Sequence, residues 1–293
     1  MTEPEIGRIA RWVHGARPRT LPAAVVPVVV GTMAIRPDVI YWGRMAVAAI
    51  VALGLQIGTN YANDYSDGVR GTDERRVGPV RLVGQGLAQP ATVRLAAFIS
   101  FGIAGLGGLW LCSLTSWWLL IPGVLAVIAG WLYTGGPKPY GYLGLGEVFV
   151  FIFFGLFATV GSGYVQGQHL PALLWLAAIP VGLLATALLE ANNLRDISGD
   201  EKSNKLTLAV RLGRHRAGWL YVGSMIVAVI VIVAMGIIHP WCALALIGFV
   251  ATIAPARLAL SSRQGRELLP MLKATGQAQL LIGALLAAGL AIR

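Results

Sequence analysis

Charged residues are scarce in this sequence. They make up 12% of the chain, whereas hydrophobic residues make up 56% and the mean hydropathy is +0.71. An ordinary soluble domain has about 25% charged residues, so this composition argues against a water-soluble globule. The sequence is instead typical of an integral membrane protein.

Cysteine and histidine are also rare. The two cysteines, Cys112 and Cys242, fall near the ends of apolar segments, where a disulfide is conceivable but a buried thiol is more usual. The four histidines have no spacing typical of metal ligands, and we assign them no chemistry. They are His14, His169, His215 and His239.

Long apolar segments fill most of the chain. A helix needs about 20 mostly apolar residues to cross a bilayer core of roughly 30 Å, and nine such segments are present. We therefore predict an all-α membrane protein of about nine transmembrane helices around a central cavity, with residues 20–293 as a single transmembrane domain. The predicted spans are 20–37, 42–62, 92–113, 116–134, 144–166, 172–192, 217–238, 241–260 and 275–292.

The basic residues indicate the orientation of these spans. All of the 23 Lys and Arg except Arg36, Arg44 and Arg293 fall in the N-terminal arm, in the connections after the second, fourth, sixth and eighth spans, or in the span ends that border these connections. Such an asymmetry is the positive-inside pattern, so we predict a cytoplasmic N-terminus in a multi-pass protein of the cell membrane. The net charge of +10 then reflects topology, and no nucleic-acid partner is predicted.

Residues 1–19 form a separate N-terminal arm. Ile6, Ile9, Trp12 and Val13 recur at helical spacing beside basic residues, without the apolar core and cleavage site of a signal peptide. This pattern predicts an amphipathic helix that lies on the membrane surface in contact with lipid.

Acidic residues cluster after two of the spans. In each cluster, Asn and Asp recur four residues apart, so each cluster places carboxylate and amide oxygens along one helix face. Seven of the 13 acidic residues belong to these connections: Asp64, Asp67, Asp73 and Glu74 in one, and Asp196, Asp200 and Glu201 in the other.

The clusters have the composition of a metal–diphosphate site. Carboxylates suit Mg²⁺, whose coordination shell is often completed by phosphate oxygens. Acids alone would expel a diphosphate, since a carboxylate–phosphate pair about 4 Å apart repels by about 4 kcal/mol at an effective dielectric near 20. Divalent ions are therefore expected to bridge them. Basic residues that would contact the diphosphate include Arg70, Arg81, Lys202 and Lys205, although any one of them could belong to a solvated loop surface.

The two motifs, "NDYSDGVRGTD" at 63–73 and "NNLRDISGDEKSNKLTLAVRLG" at 192–213, resemble the aspartate-rich motifs of the UbiA superfamily of intramembrane aromatic prenyltransferases. The nine-span arrangement is similar too, so the resemblance covers nearly the whole chain. It implies that two Mg²⁺ ions are held against a prenyl diphosphate. The implied metal ligands are Asp64, Asp67, Asp196 and Asp200, supported by Asn60, Asn63 and Asn192.

The chain departs from some members of the superfamily at Asn192, where those members have a third Asp. Asp73 lies beyond the "RG" turn and is expected to support the ligands or to anchor the loop. Glu147 and Glu190, which are unusual at or inside span ends, are expected to support the second motif and its neighbouring loop.

Three further stretches resemble the branch of the superfamily that prenylates 1,4-dihydroxy-2-naphthoate. They are "RPRTLPAAVVPVVVG" at 17–31, "GPVRLVGQGLAQP" at 78–90 and "YTGGPKPYGYLGLGE" at 133–147. This resemblance implies a polyprenyl diphosphate donor and a naphthoate acceptor that loses its carboxylate as carbon dioxide.

The last of these stretches also contains the predicted catalytic residues. Tyr133 and Tyr140 would stabilise a developing allylic cation, since an aromatic face attracts a cation by roughly 0.5 to 2 kcal/mol; both could equally belong to the interfacial aromatic belt. Lys138, the only charge in its loop, would pair with the acceptor carboxylate or the diphosphate. Arg17 and Arg19 would bind the diphosphate through their planar guanidinium groups.

Other functions remain open at this point. An ion-coupled transporter also contains acidic residues in a membrane, but here they lie in terminal motifs rather than in mid-span. A CDP-alcohol phosphotransferase is disfavoured because "DGVRGTD" lacks the expected Ala-Arg after the glycine. A UbiA relative with another acceptor, such as 4-hydroxybenzoate, haem or a sugar phosphate, is the main alternative.

Overall fold

A computed structural model describes residues 7–35, 38–72 and 80–292. Within these residues it contains ten helices and no β-strand. Two short 3₁₀ turns, Pro18–Thr20 and Tyr140–Leu143, lie between helices near the candidate site. The helices are α1 Arg8–Gly15, α2 Pro22–Ala34, α3 Trp42–Val69, α4 Pro90–Leu114, α5 Trp117–Leu132, α6 Gly146–Gly167, α7 Ala172–Lys202, α8 Leu208–Ile238, α9 Pro240–Leu260 and α10 Gly265–Ala291.

The predicted class, an all-α membrane protein, is confirmed. Seven helices in the described part of the chain are long and apolar enough to cross a bilayer, namely α3, α4 and α6 to α10. The helices α2 and α5 are apolar but shorter, and they occupy the positions of the first and fourth predicted spans.

Two helices extend well beyond the predicted spans. The helix α3 continues from the predicted end at residue 62 to Val69, and α7 continues from residue 192 to Lys202. Hydropathy falls at the first Asn and Asp of each motif, so the sequence predicts that the helix ends there. The helices continue because most of the motif Asn and Asp side chains are buried and hydrogen-bonded rather than left in solvent.

The helix α8 starts earlier than residue 217, the predicted start of its span. A break at Gly213, with φ of 75°, separates a short first turn from the long apolar part, and only the latter was visible as a hydropathic segment.

The helices form two groups with α2 between them. One apolar core includes Tyr61, Leu82 and Phe101, from α3, the connection after it, and α4. The larger core draws its side chains chiefly from α2 and α7 to α10. Because α2 packs against α3, α6, α7 and α10, it joins the groups.

The described part of the N-terminal arm contains the helix α1, whereas Ile6 lies outside the described residues. The Trp12 ring contacts Tyr61 edge-on at 5.7 Å, and the Tyr61 hydroxyl donates to the Trp12 carbonyl at 2.9 Å. Ile9 and Val13 remain 80% and 50% exposed, so α1 keeps an apolar surface away from the bundle.

Cys112 and Cys242 are both buried and are not bonded to each other. Asp73 lies outside the described residues.

A π-helical segment, Phe151–Ala158, interrupts α6 where it meets α7. A Cβ atom added to Gly155 would lie 2.7 Å from the Cα atom of Gly182, so the two backbones are in direct contact. Segments of this kind are frequent at functional sites, and this one carries aromatic residues toward the space between the helix groups.

The contact between α6 and α7 gives a prediction for stability. Gly155→Val forces the backbones apart, and overpacking of this kind costs about 1 to 3 kcal/mol. We expect a clearly lower midpoint of thermal unfolding in detergent. Gly223→Val on α8 is the control, because no atom lies within 4 Å of its added Cβ position. Equal midpoints for the two variants would contradict the contact.

Candidate active site

Both aspartate-rich motifs lie on helix ends. Asn60, Asn63, Asp64 and Asp67 are on the last turns of α3, and all four are buried. Asn192, Asp196 and Asp200 follow one another on the last turns of α7, where the two aspartates are buried. The spacing of four therefore places each set along one helical strip, as the sequence indicates.

A buried ion pair joins the two motifs. The Lys205 ammonium donates to Oδ2 of Asp67 at 3.1 Å across 138 residues of sequence, with side-chain exposures of 5% and 1%. The backbone N–H of Lys205 also donates to the carbonyl of Asp200 at 2.8 Å. The structure thus brings the end of α3 and the end of α7 together through Lys205.

Asp64 is held by the connection that follows α3. Its two carboxylate oxygens accept hydrogen bonds from the backbone N–H groups of Leu82 and Val83, each at 2.9 Å. Arg81, the preceding residue, is 3% exposed. The stretch "VRLVGQG" therefore folds back against the first motif.

Asp196 is paired with its neighbour in the chain. The Arg195 guanidinium donates to both oxygens of Asp196, at 2.8 and 2.7 Å, and also to Oδ1 of Asn192. Arg195 is only 2% exposed. This bidentate geometry is the strong form of an Arg–carboxylate contact.

The donor set fits a hard divalent cation, although its carboxylates do not form a ready-made cluster within the described residues. Over residues 7–35, 38–72 and 80–292, no three Asp, Glu, His or Cys side chains come together as a metal-binding group. Each carboxylate offers about four lone-pair sites, so a carboxylate that accepts two hydrogen bonds can also bind a cation. Oxygen ligands of this kind are those that Mg²⁺ accepts.

The predicted amide residues connect the site to its surroundings. Asn60 donates to the carbonyl of Ala16 at 2.9 Å and to the Thr20 hydroxyl at 3.1 Å. Asn63 accepts from the Thr134 hydroxyl at 2.8 Å. Both amides therefore fix the N-terminal arm and the loop after α5 against α3.

The predicted basic residues differ in where they lie. Arg81 and Lys205 are buried. Arg17 is half-buried, has a left-handed φ of 54° and lines a cavity beside the motifs. Arg70 donates to the carbonyls of Thr134 and Gly136, so it ties the loop after α5 to α3. The side chains of Arg19, Lys138 and Lys202 are exposed.

A cavity with about 1070 Å³ of empty space, part of it open to the surroundings, lies beside the motifs. Its polar end includes Arg17, Asn60, Asn63 and Asn192, whereas Lys138 does not line it. Residues of α2, α3, α5, α6 and α7 line the cavity, so it lies between the two groups of helices.

Aromatic rings follow one wall of this cavity. Tyr133 and Tyr140 contact edge-on at 5.4 Å, and Tyr140 stacks on Phe149 at 3.9 Å. The Tyr140 hydroxyl donates to the carbonyl of Ala129, and burial raises the pKa of this phenol. Phe153 and Phe157 continue the row along α6, with centroids 5.1 Å apart.

A second, apolar cavity of about 1400 Å³ adjoins the first. Ala52, Leu55, Ala126, Phe153 and Ala158 line both cavities, so they form the neck between them. The first cavity has a polar end, and the second is almost entirely apolar. A long amphiphile, with a polar head and an apolar tail, would match this division.

Tyr142 is a site residue that sequence reasoning missed. Its hydroxyl donates to Oδ1 of Asp67 at 2.9 Å. Burial and the nearby Asp67 carboxylate raise the pKa of this phenol, so it keeps its proton and remains a donor. The only sequence signal was the repeated tyrosine in "YGYLGLGE", which did not distinguish Tyr142 from Tyr140.

Glu147 also has a definite partner, the Asn193 amide, which donates to it at 2.9 Å. Glu190 accepts from the Ser224 hydroxyl at 3.1 Å. The first contact links α6 to the second motif and the second links α7 to α8, so both glutamates hold α7 in position.

The contacts of Asp64 give a prediction. In Asp64→Asn one side-chain oxygen becomes an NH₂ group, which faces a backbone N–H donor. Because an unsatisfied buried donor costs about 1 to 3 kcal/mol, we expect the amides of residues 81–84 to exchange hydrogen about tenfold faster. Hydrogen-exchange mass spectrometry without ligands measures this change, and Asp196→Asn should leave the same segment unchanged. Identical exchange in both variants would contradict the role of Asp64 in holding the turn.

The chain matches the UbiA prenyltransferase family over residues 24–272. It is 47% identical to a 1,4-dihydroxy-2-naphthoate octaprenyltransferase of Mycobacterium tuberculosis over 281 residues, which cover 96% of each chain. An octaprenyltransferase of the same description from Escherichia coli is 36% identical over 303 residues, covering 99% of this chain and 98% of that one. A UbiA homolog from Archaeoglobus fulgidus, solved bound to GPP and Mg²⁺, shares the fold with a TM-score of 0.70 at 13% identity, over 96% of this chain and 100% of that chain. This chain therefore belongs to the UbiA prenyltransferase family, as its two aspartate-rich motifs predict.

Proposed function

We propose that this protein transfers a polyprenyl group from polyprenyl diphosphate to 1,4-dihydroxy-2-naphthoate, with loss of carbon dioxide, to give demethylmenaquinol, the reduced form of demethylmenaquinone. The observation that carries the proposal is the pair of adjoining cavities, one with a polar end beside the two acidic motifs and one apolar. A polyprenyl diphosphate has the same division into an anionic head and an apolar tail. The two octaprenyltransferases that align over nearly the whole chain support this choice of substrates.

The head of the donor would bind at the polar end of the first cavity. Arg17 lines that end, and its planar guanidinium suits phosphate oxygens. Asp64, Asp67, Asp196 and Asp200 would hold two Mg²⁺ ions, which supply charge neutralisation to the departing diphosphate when bound. The A. fulgidus homolog bound to GPP and Mg²⁺ supports the metal requirement.

The tyrosines would act on the developing allylic cation. Tyr133 and Tyr140 line the first cavity, whose polar end would bind the diphosphate. Tyr140 is fixed by its stacking on Phe149. An aromatic face stabilises a cation most when water is excluded. This placement favours a catalytic role over a place in an interfacial belt.

The acceptor ring, made electron-rich by its hydroxyl groups, would attack the allylic carbon. The bond from that carbon to the diphosphate oxygen breaks as the new carbon–carbon bond forms, and the ring carboxylate leaves as carbon dioxide. Lys138 is exposed and does not line the cavity. We therefore assign it to a contact with the acceptor carboxylate before the acceptor enters the cavity.

The prenyl tail would occupy the apolar cavity. Burial of each methylene is worth about 0.8 kcal/mol, so a long tail has a strong preference for such a space or for lipid over water. Phe153 and Ala158 line both cavities and would lie beside the first units of the tail.

The membrane placement is part of the proposal. We infer that α2 and α5 complete nine crossings of the cell membrane, that residues 20–293 act as one domain, and that α1 rests on lipid through Ile9 and Val13. The site lies at the ends of α3, α5 and α7, on the side where most basic residues are found. By the positive-inside rule this side faces the cytoplasm.

The direct test is product analysis with purified protein in liposomes. We expect Mg²⁺-dependent formation of a prenylated, decarboxylated naphthalene product, identified by mass spectrometry, and loss of turnover with a chelator. A panel containing 4-hydroxybenzoate, haem and a sugar phosphate tests the alternative acceptors. Turnover only with one of these would overturn the assigned acceptor, and ion flux without a prenyl donor would favour a transporter.

The neck between the cavities gives a second prediction. Ala158→Phe narrows the neck, so we expect turnover with a long polyprenyl diphosphate to fall at least tenfold while dimethylallyl diphosphate is still used. Ile121→Phe is the control, since Ile121 is 54% exposed on α5 and lines neither cavity. An equal loss with both donors would argue against a tail in the second cavity.

A further inference from the structure

Tyr142 touches residues from both acidic motifs. It belongs to the 3₁₀ turn Tyr140–Leu143 in the loop after α5. Its hydroxyl donates to Asp67 at 2.9 Å and lies 3.4 Å from the Thr72 hydroxyl, so its polar end meets the first motif.

Two cations flank the Tyr142 ring. The Lys205 ammonium lies 5.1 Å from the ring centroid and the Arg70 guanidinium carbon lies 5.5 Å from it. Both distances are within the range of cation–π attraction. Lys205 belongs to the second motif, so a single side chain connects the first motif, the second motif and the loop that contains Tyr133.

Two of the partners of Asp67 differ in charge. Lys205 occupies Oδ2 and is cationic, whereas Tyr142 occupies Oδ1 and is neutral. A divalent cation that binds Asp67 repels the Lys205 ammonium but does not repel a neutral phenol. Tyr142 is therefore the partner that can keep its hydrogen bond while Asp67 holds a metal ion.

We propose that Tyr142 is a positioning residue that orients the Asp67 carboxylate for metal binding through its hydroxyl. This inference rests on the proposed assignment of Asp67 as a metal ligand. Groups that donate hydrogen bonds to metal ligands fix ligand orientation, and their removal commonly weakens metal affinity about 10- to 100-fold.

The test is Tyr142→Phe, which removes the hydroxyl and keeps the ring between Lys205 and Arg70. Binding of Mn²⁺ to the full-length protein in detergent, without substrates, is followed by electron paramagnetic resonance. We expect the dissociation constant for Mn²⁺ to rise about tenfold or more, with the unfolding midpoint unchanged. In turnover assays the KM for Mg²⁺ should rise by a similar factor, while kcat at saturating Mg²⁺ stays within about twofold.

Tyr221→Phe is the matched control. Tyr221 is fully buried, and its hydroxyl lies 2.9 Å from the Thr275 hydroxyl in the core between α8 and α10. This variant also loses one buried tyrosine hydroxyl, but it should bind Mn²⁺ as the wild type does.

The outcomes separate the inference from the proposed function. Wild-type affinity for Mn²⁺ in Tyr142→Phe, or tighter binding, would overturn the role of Tyr142 alone. A lower kcat at every Mg²⁺ concentration together with a lower unfolding midpoint and an unchanged Mn²⁺ affinity would show a merely structural role. Failure of the wild type to bind Mn²⁺ would instead overturn the metal assignment of the proposed function.

Discussion

The site depends on one buried charge pair, that between Lys205 and Asp67. Both side chains are almost completely removed from water, and each buried ion carries a desolvation cost of several kcal/mol. Loss of either partner leaves an uncompensated charge, which typically costs about 3 to 5 kcal/mol. The pair therefore requires the end of α3 and the connection between α7 and α8 to stay together, and Tyr142 and Asp200 take their places around it.

The carboxylates of the acidic motifs have partners within the protein itself. Lys205 pairs with Asp67, Arg195 pairs with Asp196, and two backbone N–H groups hold Asp64. Two of these carboxylates thus have a cationic partner, and the third accepts two hydrogen bonds. On the proposed function, a divalent cation would compete with these partners rather than fill a bare acidic cluster.

The sequence predicts the class of this protein well and its helix ends poorly. Hydropathy identified the apolar segments because lipid-facing residues dominate them. It did not reveal that α3 and α7 continue through the motifs, since burial of Asp64 and Asp196 depends on hydrogen bonds from Leu82, Val83 and Arg195 that only the fold supplies.

The candidate site was predictable to a similar degree. Spacing placed Asp64 and Asp67 on one face, and composition indicated an anionic substrate head with metal ions. The contact of Tyr142 with Asp67 joins residues 75 positions apart, and no local pattern encodes it. Lys138 attracts attention in the sequence as the lone charge of its loop, and no local pattern reveals that its exposed side chain does not line the cavity.

The short helix α2 has a consequence for biosynthesis. Its 13 residues span roughly 20 Å, against a bilayer core of roughly 30 Å, and most of them are buried by other helices. Among those helices is α10, which begins at Gly265 and follows α2 in the chain with seven helices between them. The helix α2 thus obtains its complete set of neighbours only after α3 to α9 have been synthesised. The packing of α2 therefore cannot be completed in chain order.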